Sequence, residues 1–314
     1  MATTTAMTAK RVPSALVRYA WIVVAYNILV ILWGALVRAT GSGAGCGNHW
    51  PLCNGQVVPL SPRVDTIIEF THRCMTGGAT FVVLGLLIWV LRATIKGQAA
   101  RAMAVASTVL LVNEAILGAL LVKLGYVTGN QSVGRVVMLS IHLSNTLLLL
   151  GALTLTAVML ETGQMTRELR LRGSRALWSI VGLLATIVVG VSGALAALGD
   201  TLFPASSLRA AIEQDLSTSS PLLLRLRGVH PISAIIAAAF VVWILARAKH
   251  LQQNKLANAV IVLLCVQFGL GLLDIALLAP VWMQIAHLLG ADLYWTALVT
   301  LTAKLVWAPQ SHEA

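Results

Sequence analysis

Charge is what this sequence has least of: Asp, Glu, Lys and Arg together make up 11% of its 314 residues. Soluble domains carry about a quarter charged residues, so a water-facing surface cannot be built from this composition. Carboxylates are the scarcer half, 11 against 22 Lys and Arg, which leaves a net charge of +11. The basic residues form no single stripe; they sit at the ends of apolar runs, which excludes a nucleic-acid interface and fits membrane topology. The first apolar run lacks a small-residue cleavage site and reads as a retained helix, not a signal peptide. The short N-terminal tail carries no Arg-rich presequence, which points to a bacterial plasma membrane rather than a mitochondrial one. Secreted enzymes and disordered chains are excluded together with soluble ones.

Apolar residues dominate instead, at 58% of the chain and a mean hydropathy of +0.86. Windows of about 19 residues predict an all-α integral membrane protein with transmembrane helices near 19–38, 68–92, 103–124, 135–160, 176–198, 227–249, 259–279 and 282–307. The connecting segments 92–102, 161–175 and 247–258, with both tails, carry most of the Lys and Arg. Both termini are therefore expected in the cytoplasm, and the long loops 39–67 and 199–226 on the outer face. The expected organisation is a tail over 1–18, a four-helix half over 19–160, a linker over 161–175, a second four-helix half over 176–307 and a tail over 308–314. Pseudo-symmetry between the halves is supported by short echoes. Trp33-Gly34-Ala35-Leu36-Val37 and Val191-Ser192-Gly193-Ala194-Leu195 end spans one and five. Leu117-Gly118-Ala119-Leu120-Leu121 and Leu270-Gly271-Leu272-Leu273 lie in spans three and seven. Such Gly, Ala and Leu matches are also ordinary membrane-helix composition.

Of seven histidines, His49, His250 and His312 fall in loops or the tail. The remaining four, His72, His142, His230 and His287, lie one in the first turns of each even-numbered span, and hence at similar depth. A single histidine in a membrane helix is usually a hydrogen-bonded packing residue. Four in register read as two pairs, suited to metal or heme ligation. Two facing imidazoles satisfy the axial positions of a heme iron, whereas zinc or copper wants a third or fourth donor close by. Gly77-Gly78, below His72, are expected to leave room for a macrocycle. Arg73, Arg135, Arg225 and Arg227 sit near the histidines, where they either snorkel to the interface or pair with propionates.

Glu69 and His72 are spaced i, i+3 and share a helix face, so the carboxylate is placed to act as general base or electrostatic stabiliser. Cys46 and Cys53 lie in a Gly-rich loop on the oxidising side, where a disulfide is feasible as staple or redox pair. Cys74 and Cys265 are expected to pack inside helices. Glu114, Asp274 and Asp292 fall within spans, protonated or hydrogen-bonded to helix neighbours.

Gly41-Ser42-Gly43 leading to Cys46, then Trp50-Pro51-Leu52-Cys53, Ile68-Glu69-Phe70-Thr71-His72-Arg73, His142, Val229-His230-Pro231 and His287-Leu288-Leu289 together resemble the heme A synthase family over nearly the whole chain. The resemblance implies oxidation of a ring methyl of heme O to the formyl group of heme A, by successive hydroxylations with oxygen taken from water. It implies that His72 and His142 receive the substrate heme, that His230 and His287 hold a permanent heme b, and that Glu69 is the carboxylate needed for turnover. Cys46 and Cys53 match the family's first-loop pair; no cysteine stands in 199–226, where some members carry a second. The partners it implies are a heme O synthase as donor, the cytochrome oxidase assembly machinery, an electron acceptor the sequence does not identify, and the lipid bilayer, with homo-oligomers left open. The rival readings are a diheme cytochrome b electron carrier with no chemistry on either macrocycle, and, less well fitted, an inverted-repeat transporter.

Overall fold

The computed structural model describes residues 12–165, 173–248 and 254–307. Residues 166–172 of the expected linker, most of the N-terminal tail and all of the C-terminal tail lie outside these residues, as do His250 and His312. Among the described residues the chain forms α1 (Ser14–Ala39), α2 (Val64–Ala93), α3 (Ala99–Lys123), α4 (Val133–Thr162), α5 (Gly173–Leu202), α6 (Leu208–Leu216), α7 (Leu222–Arg227), α8 (Val229–Ala248), α9 (Asn254–Ala276) and α10 (Val281–Trp307). Eight spans are long and apolar enough to cross a membrane, with α7 and α8 together making the sixth. Regular helix is what hydrocarbon demands, because no water is there to satisfy free backbone N–H and C=O groups.

Helix starts follow local chemistry. Pro13 precedes α1, where its missing N–H costs nothing. The Ser132 hydroxyl accepts from the Arg135 N–H at the start of α4, and Ser207 does the same for the Ala210 N–H at α6. Helices α1, α2, α3 and α5 begin several residues before the positions read from sequence. The larger correction concerns 199–226. It is not an open loop: α5 runs on to Leu202, and α6 and α7 occupy much of the rest. The sixth span starts at Leu222, not 227, and breaks at Gly228 between α7 and α8. Three polar groups hold this outer assembly. The Arg227 guanidinium meets Asp200 on α5 at 2.9 Å and Asp215 on α6 at 2.6 Å, and donates to Gln214 at 3.0 Å.

The interior is divided between two clusters. One draws on α1 to α4 and takes Trp295, Val299 and Ala303 from α10; the other joins α8, α9 and α10 around Leu298 and Leu301. Helix α10 therefore serves both halves. Its Trp295 indole, nearly fully buried, donates to Leu147 O on α4 at 2.9 Å, and its ring lies against Gly151. A second cross-link is Arg38, which ends α1 and donates to Ala197 O and Thr201 Oγ1 on α5 and to Gln284 Oε1 on α10. The outward faces are apolar: Phe81, Leu272 and Ile235 stand exposed, as side chains bathed in lipid rather than water. Cys74 and Cys265 are on these exposed faces, which corrects the expectation that they pack inside.

Trp295→Ala removes a buried indole and the only side-chain bond from α10 to the α4 backbone seen among the described residues. A large aromatic lost from a core costs about 3–5 kcal/mol. Thermal unfolding in detergent is expected to shift down accordingly, whereas Phe81→Ala, on the lipid face, is expected to leave the transition within about 0.5 kcal/mol.

Candidate functional site

All four in-span histidines stand at the same end of the bundle, roughly 9 to 14 Å from where their spans begin at 1.5 Å per residue. What fixes each ring is a glycine on the preceding span. A Cβ built on Gly34 of α1 would stand 3.0 Å from His72 Cε1, and one on Gly118 of α3 would stand 3.6 Å from His142 Nε2. In the second half, a Cβ on Gly193 of α5 would meet His230 Cε1 at 2.9 Å, and one on Gly271 of α9 would meet His287 Cε1 at 3.2 Å. Each imidazole thus lies against bare backbone, at a separation that a methyl group closes or crowds. These are the four glycines of the repeated segments, so the sequence signal was present but indistinguishable there from generic small-residue packing. Gly78, expected to leave room below His72, instead receives the Tyr26 hydroxyl, which donates to Met75 O at 3.0 Å; Gly77 faces open space.

The rings of His230 and His287 face each other with centroids 6.2 Å apart and planes at 81°. His230 Nδ1 lies 3.2 Å from Ser192 Oγ, and His287 Nδ1 lies 3.1 Å from Gln267 Nε2, which also donates to His287 O at 3.0 Å. In the first half, His142 Nδ1 is 3.2 Å from Glu114 Oε1, while His72 Nδ1 is buried without a hydrogen-bond partner. Ser192, Gln267 and Glu114 carry no mark in the sequence as histidine partners; Glu114, expected to be protonated or bonded to helix neighbours, meets His142, Asn145 and Thr146 of α4. Among the described residues no three His, Cys, Asp or Glu side chains converge as a cage for a bare metal ion.

Above His72 the loop after α1 folds back onto α2. Cys46 and Cys53 form a disulfide. Gly45 lies flat on the first turn of α2, where a Cβ would come within 2.5 Å of the Asp65 backbone, and its carbonyl accepts from Thr66 Oγ1 at 2.8 Å. Glu69, 3% exposed, is the centre of this arrangement. Its Oε2 accepts from the Cys46 N–H at 2.8 Å and its Oε1 from Arg73 Nη2 at 2.5 Å. Arg73 in turn donates to His49 O and Leu52 O. The carboxylate is therefore neither solvated nor free, its oxygens accepting from the loop backbone and from Arg73. Of the remaining arginines, Arg135 donates to Asn130 O at 2.8 Å, Arg225 is exposed, and Arg227 is held by Asp200 and Asp215.

Residues 17–299 match a family model described as COX15-CtaA, cytochrome oxidase assembly protein. The chain is 46% identical over 294 residues to a Thermus thermophilus protein named protoheme IX farnesyltransferase, a match covering 92% of this chain and 48% of that one. It is 37% identical over 135 residues to heme A synthase of Alkalihalophilus pseudofirmus, covering 43% and 41% of the two chains. With heme A synthase of Geobacillus kaustophilus the identity is 47% over 98 residues, 31% of each chain. The chain spans about half the length, or less, of these curated relatives.

Gly45→Ala forces the loop off α2, since the added methyl meets backbone rather than a movable side chain. Overpacking of this kind costs about 1–3 kcal/mol. Hydrogen–deuterium exchange is expected to accelerate across 41–56 while α8 to α10 keep their protection; unchanged exchange in 41–56 would show that the seat does not order the loop.

Proposed function

The chain belongs to the COX15-CtaA family of cytochrome oxidase assembly proteins, and we propose that it is a heme A synthase, an oxidoreductase of the membrane that converts a ring methyl of heme O to a formyl group. The observation that carries this reading is the facing pair His230 and His287. With metal–nitrogen bonds of about 2 Å and about 1 Å from nitrogen to ring centroid, trans imidazoles on one iron stand roughly 6 Å apart. The 6.2 Å separation fits that requirement, and the four glycine seats supply flat, close-packed walls for the rings. His230 and His287 would hold heme b, which when bound supplies one-electron redox chemistry. His72 and His142 would receive heme O, whose apolar tail suits the exposed apolar helix faces.

The protein's own groups then have defined tasks. Ser192 and Gln267 hold the rings of His230 and His287 in orientation. Arg135 and Arg225 are the cations left to meet propionates, because Arg73 and Arg227 are already committed to protein carboxylates. Glu69 and Arg73 anchor the disulfide loop above His72, so that loop covers the end of the substrate site and excludes water from it. Glu69, beside this site, acts as electrostatic stabiliser or general base. Placement in a bacterial plasma membrane with cytoplasmic termini, heme O arriving from a heme O synthase and product passing to the oxidase assembly machinery belong to the same proposal. The name of the Thermus relative describes a protein more than half of whose length lies outside the match. Prenyl transfer from a diphosphate would call for carboxylates converging on Mg²⁺, and among the described residues no such group of three exists.

Acid-acetone extraction and mass analysis of the purified protein, expressed with and without a source of heme O, tests the reaction. Heme A or its hydroxylated precursor is expected only with heme O. Heme b alone at two per chain in both preparations would instead make the protein a diheme electron carrier. In the same preparations His230→Ala and His287→Ala are each expected to lose bound heme b absorbance, and Glu69→Ala to keep heme but form no heme A.

A further inference from the structure

The two halves treat their histidines unequally. Both imidazoles of the C-terminal half have neutral neighbours: the Ser192 hydroxyl at His230 Nδ1, and the Gln267 amide nitrogen, a donor, 3.1 Å from His287 Nδ1 and 3.3 Å from its Nε2. In the N-terminal half His142 has a carboxylate, Glu114, at 3.2 Å from Nδ1, and His72 Nδ1 has nothing. The difference is set at corresponding positions. Glu114 stands one turn before Gly118 on α3, as Gln267 stands one turn before Gly271 on α9. Trp33 precedes Gly34 on α1, as Ser192 precedes Gly193 on α5. The Trp33 indole is a donor only and is turned to Ile68 O at 3.0 Å, so it offers His72 no acceptor.

Glu114 is itself held from two sides. Asn145 Nδ2 donates to its Oε2 at 2.5 Å, and the Thr146 hydroxyl donates to the same Oε1 that faces His142. Asn145 is fixed further by its bond to Leu110 O and by the Asn113 amide that donates to Asn145 Oδ1 at 2.8 Å. A carboxylate mounted this firmly selects the imidazole tautomer with hydrogen on Nδ1, fixes the ring about its axis and leaves Nε2 as a stronger donor to a metal.

Resting on the heme reading above, we infer that Glu114 is a positioning residue that makes His142 the retained iron ligand of the N-terminal site, and that His72, lacking any acceptor, is the ligand that releases. An iron with both axial positions filled offers no place for another ligand, and release of His72 provides one. In the C-terminal site Ser192 and Gln267 carry no charge, so no carboxylate favours one imidazole over the other. The N-terminal site is thus the one that opens, through a Glu where the C-terminal half has Gln and a Trp where it has Ser.

The full-length protein in detergent, loaded with ferric protoporphyrin IX as probe, tests this without turnover. Low-spin electron paramagnetic resonance reports each iron's ligands, and transfer to excess apomyoglobin reports dissociation rates. With Glu114 intact, His142→Ala is expected to release the N-terminal heme about 10- to 100-fold faster than wild type, the range for loss of metal-site support, whereas His72→Ala retains it as a high-spin species. Glu114→Gln, which turns this site into the chemistry of the C-terminal one, is expected to shift the N-terminal low-spin signal and speed release about tenfold, leaving the His230/His287 signal unchanged. Trp33→Ser is expected to slow exchange at His72. Equal behaviour of His72→Ala and His142→Ala, or an unshifted signal in Glu114→Gln, overturns the assignment while leaving the heme reading standing. A wild-type heme signal that survives both His230→Ala and His287→Ala overturns the heme reading itself.

Discussion

Close approach of each imidazole to the bare backbone of the helix before it is the constraint from which the rest of the structure follows. Each in-span histidine rests on a glycine: three of the rings come within 3.2 Å of the place a Cβ would take, and His142 is in ordinary contact distance of it at 3.6 Å. In hydrocarbon there is no hydrophobic gain from pressing helices together, so packing of small residues and hydrogen bonds has to bring them near. The glycine seats do both: they permit contact between paired spans and aim the rings into the bundle. Ser192, beside one seat, and Gln267 and Glu114, each one turn from another, place a polar atom at the Nδ1 of His230, His287 and His142.

Above this layer the site end of the bundle is built from charge held in pairs. Glu69 with Arg73 pins the disulfide loop over the first half, and Arg227 with Asp200 and Asp215 pins α6 and α7 over the second. Arg38 and Trp295 join the halves, one near the loops and one deeper in the core. Carboxylates are so few in this chain that each placement matters. Glu69, Asp200, Asp215 and Glu114 are all engaged with a cation or an imidazole, which is the expected condition for charge near hydrocarbon.

Much of this was legible in the primary structure. The number of spans and the level of the four histidines follow from long apolar runs and residue positions, a Cys46–Cys53 disulfide was feasible from the loop, and the family was legible as a resemblance of motifs. Less legible were the helices inside 199–226, because α6 is polar and short and hydropathy does not see it. The lipid-facing positions of Cys74 and Cys265 were missed for a related reason: a span that is apolar on every side carries no mark of which face is inside.

Hydrophobicity and residue type by themselves determined that the chain is an eight-span helical membrane protein with two histidine pairs near one end. These are properties of single segments, each of which must satisfy its own backbone in lipid wherever its neighbours lie. Only the tertiary structure decided which glycine meets which ring, that Glu114 faces His142 rather than its own helix, and that His72 is left without an acceptor. Those facts depend on how neighbouring helices are rotated and shifted against one another. Side-chain packing between helices sets that rotation, and no single segment contains it.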